Sequence, residues 1–325
     1  MNAFTRCAAT AMLLTLAVSA QAQAPAAPYP SRPVKILVGY SAGGAVDLIA
    51  RTVGQPLAAS LGQQVLVENK PGAGTNIAMR ALIDSAPDGY TLMMAANALA
   101  ANPTLYQPAP FDVARDITPI ALIGRVPVVL AANPQAQLPD FATLVAKAKA
   151  APGSITYGSP GNGATPHLAT ELLERAAGIQ LTHVPYKGGA QAMNDVIAGH
   201  IQTVAVNALE VLPHARAGKL RVLAVLSSKR SSLFPEVPTI AESGFPGFEA
   251  SVWYGLIGPA RMPEAVVARL HQEVQRALAT PEVRERLSAA GGEALPGSRA
   301  MFAEMVASEK QRYERLIRDA QIKPD

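Results

Sequence analysis

A glycine-rich segment near the start of the chain has the residue types and the spacing to do chemistry. It runs Gly39-Tyr-Ser-Ala-Gly43, which matches the G-x-S-x-G elbow that presents a nucleophilic serine in α/β-hydrolases. The apolar run Val34–Val38 precedes it and a helical pattern follows, so the segment is predicted to be a strand-to-helix turn. Backbone N–H groups at such a helix start also bind anions. The segment therefore allows two functions, nucleophilic catalysis by Ser41 or the binding of an anionic ligand.

Three further loops share this design, because each follows a predicted strand and opens a predicted helix. They are Gly72–Thr75, Ser159–Thr165 and Tyr186–Gly189. The first turn of a helix has unpaired N–H groups and a partial positive charge, and glycine lets a ligand approach the backbone. Tight turns alone would also explain the glycines of a single loop. Four loops of the same design favour a cleft that binds carboxylates.

The candidate binding residues come from these loops and from polar side chains near them. Asn97 and Asn207 each follow a predicted strand and can reach a cleft. His167 lies in the first turn of a helix, where capping or lining the cleft suits it better than acting as a base. Lys187 either attracts a carboxylate or is a solvated turn residue. The loops contribute Tyr40, Ser41, Ala42, Gly43, Gly44, Ala73, Gly74, Thr75, Ser159, Gly161, Gly163, Thr165, Tyr186, Lys187 and Gly188.

The N-terminal residues are typical of a secretory signal peptide. Arg6 supplies a positive n-region, the following residues are apolar and uncharged, and A-x-A sites end at Ala22 and Ala24. We expect residues 1–24 to be removed near Ala22 or Ala24 and the mature protein to be exported. Cys7 is the only cysteine, so the mature chain is predicted to have no disulfide and no cysteine-based metal site.

The composition argues against several classes of partner. The five histidines show no metal-ligand spacing, the formal net charge is only +4, and aromatic residues make up 5% of the chain. No basic cluster is interleaved with aromatic residues, as a nucleic-acid site would require. We therefore expect no metal, no cofactor and no nucleic-acid partner, and we expect a monomer.

The elements that position the loops recur along the chain. Strand, glycine loop and helix alternate, which sets the fold class as α/β. The predicted strands are short continuous apolar runs, as expected for a parallel sheet buried on both faces. Ile117–Val129 is a longer apolar stretch that can cross between domains, and the C-terminal helices are expected to pack back on the first domain. Asp140, Thr165 and Ser298 are predicted to cap helices.

Two enzymatic interpretations compete with a binding protein. Gly72-Ala-Gly74 begins like a dinucleotide fingerprint, but Ile77 stands where its third glycine belongs. In a hydrolase, a strand upstream of the elbow supplies the second oxyanion donor, and little mature chain precedes Ser41. The other three loops have no role in that mechanism. We retain a secreted serine hydrolase, with Ser41 in the Gly39–Gly43 elbow, as the alternative.

Several longer segments occur in a specific order and spacing. They are residues 39–51, 68–74, 87–91, 183–188, 218–224, 237–244 and 253–259. With these segments the chain resembles the extracytoplasmic solute receptors of tripartite tricarboxylate transporters, the Bug-type receptors, over nearly all of its mature length. It departs from their pattern at Thr75 and Ala78, where the family usually has glycine. Thr75 adds a hydroxyl and a methyl group to that loop, which would alter the shape of the ligand site.

The resemblance implies a two-lobed periplasmic-binding-protein fold of the type II-like kind, with mostly parallel sheets flanked by helices and a ligand cleft between the lobes. Residues 30–124 with 227–325 are expected to form the first lobe, and residues 125–226 the second. Family ligands are mostly carboxylates, held by the loops after the first strands of each lobe. The expected function is a periplasmic receptor for a small carboxylate or dicarboxylate, which delivers it to integral-membrane transporter subunits or acts as an orphan sensor.

Overall fold

Strands and helices alternate along the chain in the computed structural model, which describes residues 29–289 and 291–324. The predicted signal peptide lies outside these residues. The strands are β1 (Val34–Val38), β2 (Val65–Asn69), β3 (Thr91–Ala95), β4 (Ile117–Ala132), β5 (Thr156–Ser159), β6 (Thr182–Pro185), β7 (Thr203–Asn207), β8 (Arg221–Val225), β9 (Ser251–Pro259) and β10 (Glu293–Ala294). The helices are α1 (Ala45–Leu61), α2 (Asn76–Ile83), α3 (Ala98–Leu105), α4 (Val113–Asp116), α5 (Phe141–Ala150), α6 (Thr165–Ala177), α7 (Gly189–Ala198), α8 (Ala208–Arg216), α9 (Glu264–Ala279), α10 (Pro281–Ala289) and α11 (Arg299–Ala320).

The described strands join in one mixed sheet. Its order is β2-β1-β3-β9-β4-β7-β5-β6, and β8 and β10 also pair with β4. β1 is parallel to β2 and β3, and β5 is parallel to β6 and β7, whereas β4 and β9 run antiparallel to their neighbours. The predicted α/β class is confirmed. Parallel pairing is limited to the outer strands, because the two long central strands β9 and β4 are antiparallel to each other and to their other neighbours.

Strand β4 belongs to both halves of the molecule. Its first part pairs with β9, where Ile117 lies opposite Pro259, and its last part pairs with β7, where Val128 lies opposite Asn207. We call β1–β3, β9 and the first part of β4, with their helices, the first lobe. The second lobe comprises β5–β8, the last part of β4 and their helices. The residue limits predicted for the two lobes stay a prediction.

Two of the three predicted helix caps are confirmed. The Asp140 carboxylate accepts from the Thr143 N–H at 2.7 Å, and the Ser298 hydroxyl accepts from the Met301 N–H at 3.1 Å. The prediction for Thr165 is wrong by one residue. Ala164 is the extended N-cap of α6 and Thr165 is already helical, so its hydroxyl caps nothing. The residue instead lines the inner cavity of the cleft described below.

The C-terminal helix α11 completes the core of the first lobe, as predicted. The Phe302 ring is fully buried and packs edge-on against Trp253 of β9, with ring centroids 5.8 Å apart. It lies directly over Gly255, where any side chain would collide with the ring. This packing fixes the position of β9 beside β3. None of the helices that the structure describes has the length and apolar character to cross a membrane.

Candidate functional site between the lobes

The loops before α1 and α7 meet across the cleft and join the two lobes. The Ser41 backbone N–H donates to the Lys187 carbonyl oxygen at 3.0 Å, and the Ser41 hydroxyl donates to the same oxygen at 3.2 Å. Gly188 permits this approach, because a Cβ there would lie 3.1 Å from the Ser41 backbone nitrogen. The lobes are therefore closed on each other at this contact.

The buried carboxylate of Asp47 holds the loop before α1 in place. Asp47 accepts from the Gly43 N–H at 3.0 Å and from both the Arg51 guanidinium and the Asn69 amide at 3.0–3.1 Å. Burial opposes the charge, but these hydrogen bonds outweigh it and hold the pKa of Asp47 below its usual value. Asn69 also donates to the Tyr40 carbonyl at 3.0 Å. This network orients the α1 N-terminus toward the cleft.

A second carboxylate, that of Glu210, lies in the cleft itself. Its Oε1 accepts from the Ala45 N–H at 2.7 Å, which is the first amide of α1 in the opposite lobe. Its Oε2 accepts from the Asn207 N–H at 3.2 Å, at the start of α8. The side chain is buried, and this burial raises the pKa of Glu210 while the hydrogen bonds oppose the rise. The amides of a helix N-terminus thus bind a carboxylate across the closed cleft.

Two glycines leave the space that this carboxylate fills. A Cβ on Gly189, the first residue of α7, would lie 2.6 Å from both Glu210 oxygens. A Cβ on Gly44, before α1, would lie 3.2 Å from Glu210 Oε1. The glycines therefore matter here through close approach, because any side chain at Gly189 would displace the carboxylate.

A small inner cavity is lined in part by Glu210. Its volume is about 20 Å³, which is room for about one water molecule. At its wall the Tyr254 hydroxyl donates to Asn207 Oδ1 at 3.0 Å, which ties β9 to the end of β7. It is lined by Tyr40, Gly44, Ala45, Val46, Ala96, Pro160, Ala164, Thr165, Pro166, Gly189, Asn207, Glu210, Val252 and Tyr254.

A larger outer cleft opens beside the inner cavity. It has a volume of about 310 Å³ and shares Tyr40 and Pro160 with the inner cavity. The Tyr186 hydroxyl donates to Asp195 at 2.6 Å, and burial with this contact raises the pKa of Tyr186 to about 12. It is lined by Gly39, Tyr40, Gly72, Ala73, Gly74, Thr75, Tyr106, Pro160, Gly161, Asn162, Pro185, Tyr186 and Lys187.

The structure gathers most of the predicted site residues at this cleft. The inner cavity receives Tyr40, Gly44, Thr165 and Asn207. The outer cleft receives Tyr40, Ala73, Gly74, Thr75, Gly161, Tyr186 and Lys187. Six others belong to the same loops without lining either cavity, namely Ser41, Ala42, Gly43, Ser159, Gly163 and Gly188.

Two predicted site residues lie in the lobe interiors instead. Asn97 donates to the Tyr313 hydroxyl at 2.9 Å and accepts from the Trp253 N–H at 3.1 Å, so its side chain holds α11 to β9. His167 is buried beneath the Ser159–Thr165 loop, where its Nδ1 accepts from the Gly163 N–H at 3.2 Å. Its ring stacks on that of His183 with centroids 4.3 Å apart. Burial, and secondarily His183, lower the pKa of His167 to about 3. His167 is therefore neutral and supports the loop.

Glu210 was missed in the sequence, together with Tyr254 and Tyr106. A signal for Glu210 was present, since Asn207 followed three residues later by Glu210 matches the capping-box pattern at a helix start. That pattern predicts the bond to the Asn207 N–H. The hydrogen bond to the Ala45 N–H joins residues 165 positions apart, and no local sequence pattern predicts it.

The geometry at Ser41 differs from that of a serine hydrolase. Among the described residues its hydroxyl bonds to a carbonyl oxygen, whereas an activated serine bonds to a base. A serine–histidine pair does occur elsewhere, between Ser159 Oγ and His183 Nε2 at 2.7 Å. Ser159 is fully buried within the second lobe, so no substrate reaches its hydroxyl in this conformation.

Two lobes joined by the shared strand β4, with helix N-termini directed into the cleft between them, define the periplasmic-binding-protein class of fold. The family model described as the tripartite tricarboxylate transporter family receptor matches residues 49–322. The chain belongs to this family. It is 36% identical to the protein BugT of Bordetella pertussis over 297 residues, which cover 91% of each chain.

Solved structures agree with this assignment. A Rhodopseudomonas palustris protein with adipate matches with a TM-score of 0.87 and 32% identity, covering 91% of this chain and all of that one. MatC from the same organism, with bound malate, matches with a TM-score of 0.85 and 30% identity, covering 89% of this chain and all of that one. The predicted two-lobed binding-protein fold is confirmed.

Proposed function

We propose that the protein is a periplasmic receptor that closes around a small carboxylate or dicarboxylate and delivers it to the membrane subunits of a tripartite transporter. One observation carries the proposal: Lys187 and the glycine loops that open helices line the outer cleft between the lobes, which suits the binding of a carboxylate. The adipate and malate bound by structural neighbours are of the same chemical class.

Closure follows from the way the two lobes share the contacts. A ligand in the outer cleft touches the Gly72–Thr75 loop of the first lobe and the Tyr186–Lys187 segment of the second. Both sets of contacts exist together only in the closed state, so binding shifts the population toward closure. The closed form would then be the one that a membrane partner recognises.

A thermal-shift screen of mono- and dicarboxylates tests the proposal. A true ligand at a hundred times its Kd stabilises the folded state by about 2.7 kcal/mol. Lys187→Gln should weaken binding about tenfold or more, because a charge-assisted hydrogen bond contributes about 1.5–3 kcal/mol. Lys149→Gln, an exposed position on α5, is the matched control and should leave affinity unchanged.

If no carboxylate raises the melting temperature, the proposed function is wrong. Native mass spectrometry of protein purified from cells provides an independent test, because it measures the mass of any ligand that stays bound. A bound species without a carboxyl group would equally contradict the proposal.

A further inference from the structure

The anion-binding position at the centre of the cleft is filled by the chain itself. Three helices start around the Glu210 carboxylate: α1 through the Ala45 N–H at 2.7 Å, α8 through the Asn207 N–H at 3.2 Å, and α7 through Gly189, whose missing side chain makes room for both oxygens. The side chain is 6% exposed and lines the inner cavity. A ligand that enters this cavity therefore meets a carboxylate before it meets the helix amides.

The negative charge of Glu210 has no cationic partner within the described residues. None of their ion pairs involves it, and its hydrogen bonds come from the Ala45 and Asn207 amides and the Asn207 side chain. Backbone amides supply partial charges only, so no full positive charge within the described residues balances an ionised Glu210. A second carboxylate beside it would be repelled, whereas an ammonium group would be attracted.

The cleft is consequently different at its two ends. Lys187 and the loop amides line the outer cleft, which suits a carboxylate. Glu210 lines the inner cavity, which suits a hydrogen-bond donor. Tyr40 and Pro160 border both spaces, so one small molecule can contact both ends at once when the cleft opens slightly.

We propose that Glu210 is the specificity-determining residue of this cleft, and that the ligand is a small monocarboxylate with a hydrogen-bond donor, best an ammonium group, at its far end. The outer cleft binds its carboxylate, and Glu210 accepts from its donor. Dicarboxylates of the same length are disfavoured, because their second carboxylate would face Glu210. This inference rests on the proposed function and narrows its ligand class.

Calorimetric titration of dialysed protein with a matched ligand panel tests the inference. The panel holds adipate, 6-aminohexanoate and hexanoate, with succinate, 4-aminobutyrate and butyrate as a shorter set. At pH 8, which favours the ionised form of Glu210, the wild type should bind the amino acid at least tenfold more tightly than the dicarboxylate in at least one set. This comparison needs no variant and so does not depend on the folding of one.

The isosteric variant Glu210→Gln assigns the preference to its residue. It keeps one oxygen for the Ala45 N–H and removes the charge, so the preference for the amino acid should fall at least tenfold. Glu236→Gln removes the same charge from an exposed position outside both cavities and should keep the wild-type preference.

Several outcomes overturn the inference while leaving the carboxylate receptor intact. One is a wild type that binds the dicarboxylate as tightly as the amino acid. Another is a Glu210→Gln variant that binds the amino acid and the dicarboxylate more tightly by the same factor. Glu210 would then only compete with ligands for the site and would not discriminate between them. If no member of the panel and no other carboxylate binds, the proposed function itself fails, and the inference fails with it.

Discussion

The buried histidine of the second lobe makes stability depend on pH with a sign that the structure determines. His167 is 3% exposed, and burial, with the nearby His183 ring, lowers its pKa to about 3. An unfolded histidine has a pKa of about 6.5. Between these values the unfolded state binds the proton and the folded state does not. The contribution of neutral His167 to stability is therefore fully present above pH 6.5 and is lost as the pH falls. From pH 7 to pH 5 the loss is about 2 kcal/mol.

Urea unfolding at the two pH values measures this loss, with His167→Asn as the comparison. Asparagine does not titrate and can still accept from the Gly163 N–H. Glu174 has the opposite effect on the pH dependence of stability. Burial raises the pKa of Glu174 to about 7, so protonation of this residue favours the folded state. That contribution is common to both proteins, so it cancels in the difference. The wild type should lose about 2 kcal/mol more than the variant between pH 7 and pH 5.

Parallel pH dependences in the two proteins would refute this reasoning. They would mean that His167 titrates normally in the folded state, either because water reaches its ring or because the Glu171 carboxylate, 3.7 Å from its Nε2, stabilises the protonated form. The ring stacking on His183 would then have to break without unfolding the lobe. Nuclear magnetic resonance titration of the His167 ring provides the second measurement, and no transition should occur above pH 5.

The remaining predictions concern the core, the cleft and the chemistry at the first loop. Phe302→Ala should cost about 3–5 kcal/mol of unfolding free energy, because it opens a hole beneath Trp253; a cost below about 1 kcal/mol in urea unfolding would contradict the packing. Gly189→Ala should displace the Glu210 carboxylate and open the lobes, so small-angle scattering should show a larger radius of gyration, and an unchanged radius would exclude this role. A fluorophosphonate probe should not label the wild type; stoichiometric labelling that Ser41→Ala abolishes would establish the hydrolase alternative instead.

The fold was largely predictable, because its signals are local. Apolar runs mark the strands. Asp140 and Ser298 mark the N-termini of two helices that the structure contains. The direction of β9 was not predictable, because its partners on β3 and β4 lie more than a hundred residues earlier in the chain. Periodicity reports how a strand is buried and says nothing about which way its neighbour runs.

The site was predictable as a set of loops but not as a set of contacts. Glycine patterns located the loops at Tyr40–Gly44 and Tyr186–Gly189, which do meet across the cleft. Asn97 shows the limit of the approach: a polar residue after a strand can face a ligand or an interior hydroxyl, and the choice depends on where α11 packs. Glu210 shows the converse, because a residue whose local pattern fits a helix cap also reaches the opposite lobe.

The long strand β4 also determines the order in which the molecule can be completed. Ile117 pairs with Pro259, so the part of the sheet that lies in the first lobe lacks β9 until most of the chain has been synthesised. Contacts at such separations form slowly, because a long loop must close before they do. The first lobe therefore cannot be completed until β9 has been synthesised, which happens after β5–β8 of the second lobe. During synthesis β3 and β4 therefore lack their shared partner β9 until residues 251–259 have followed.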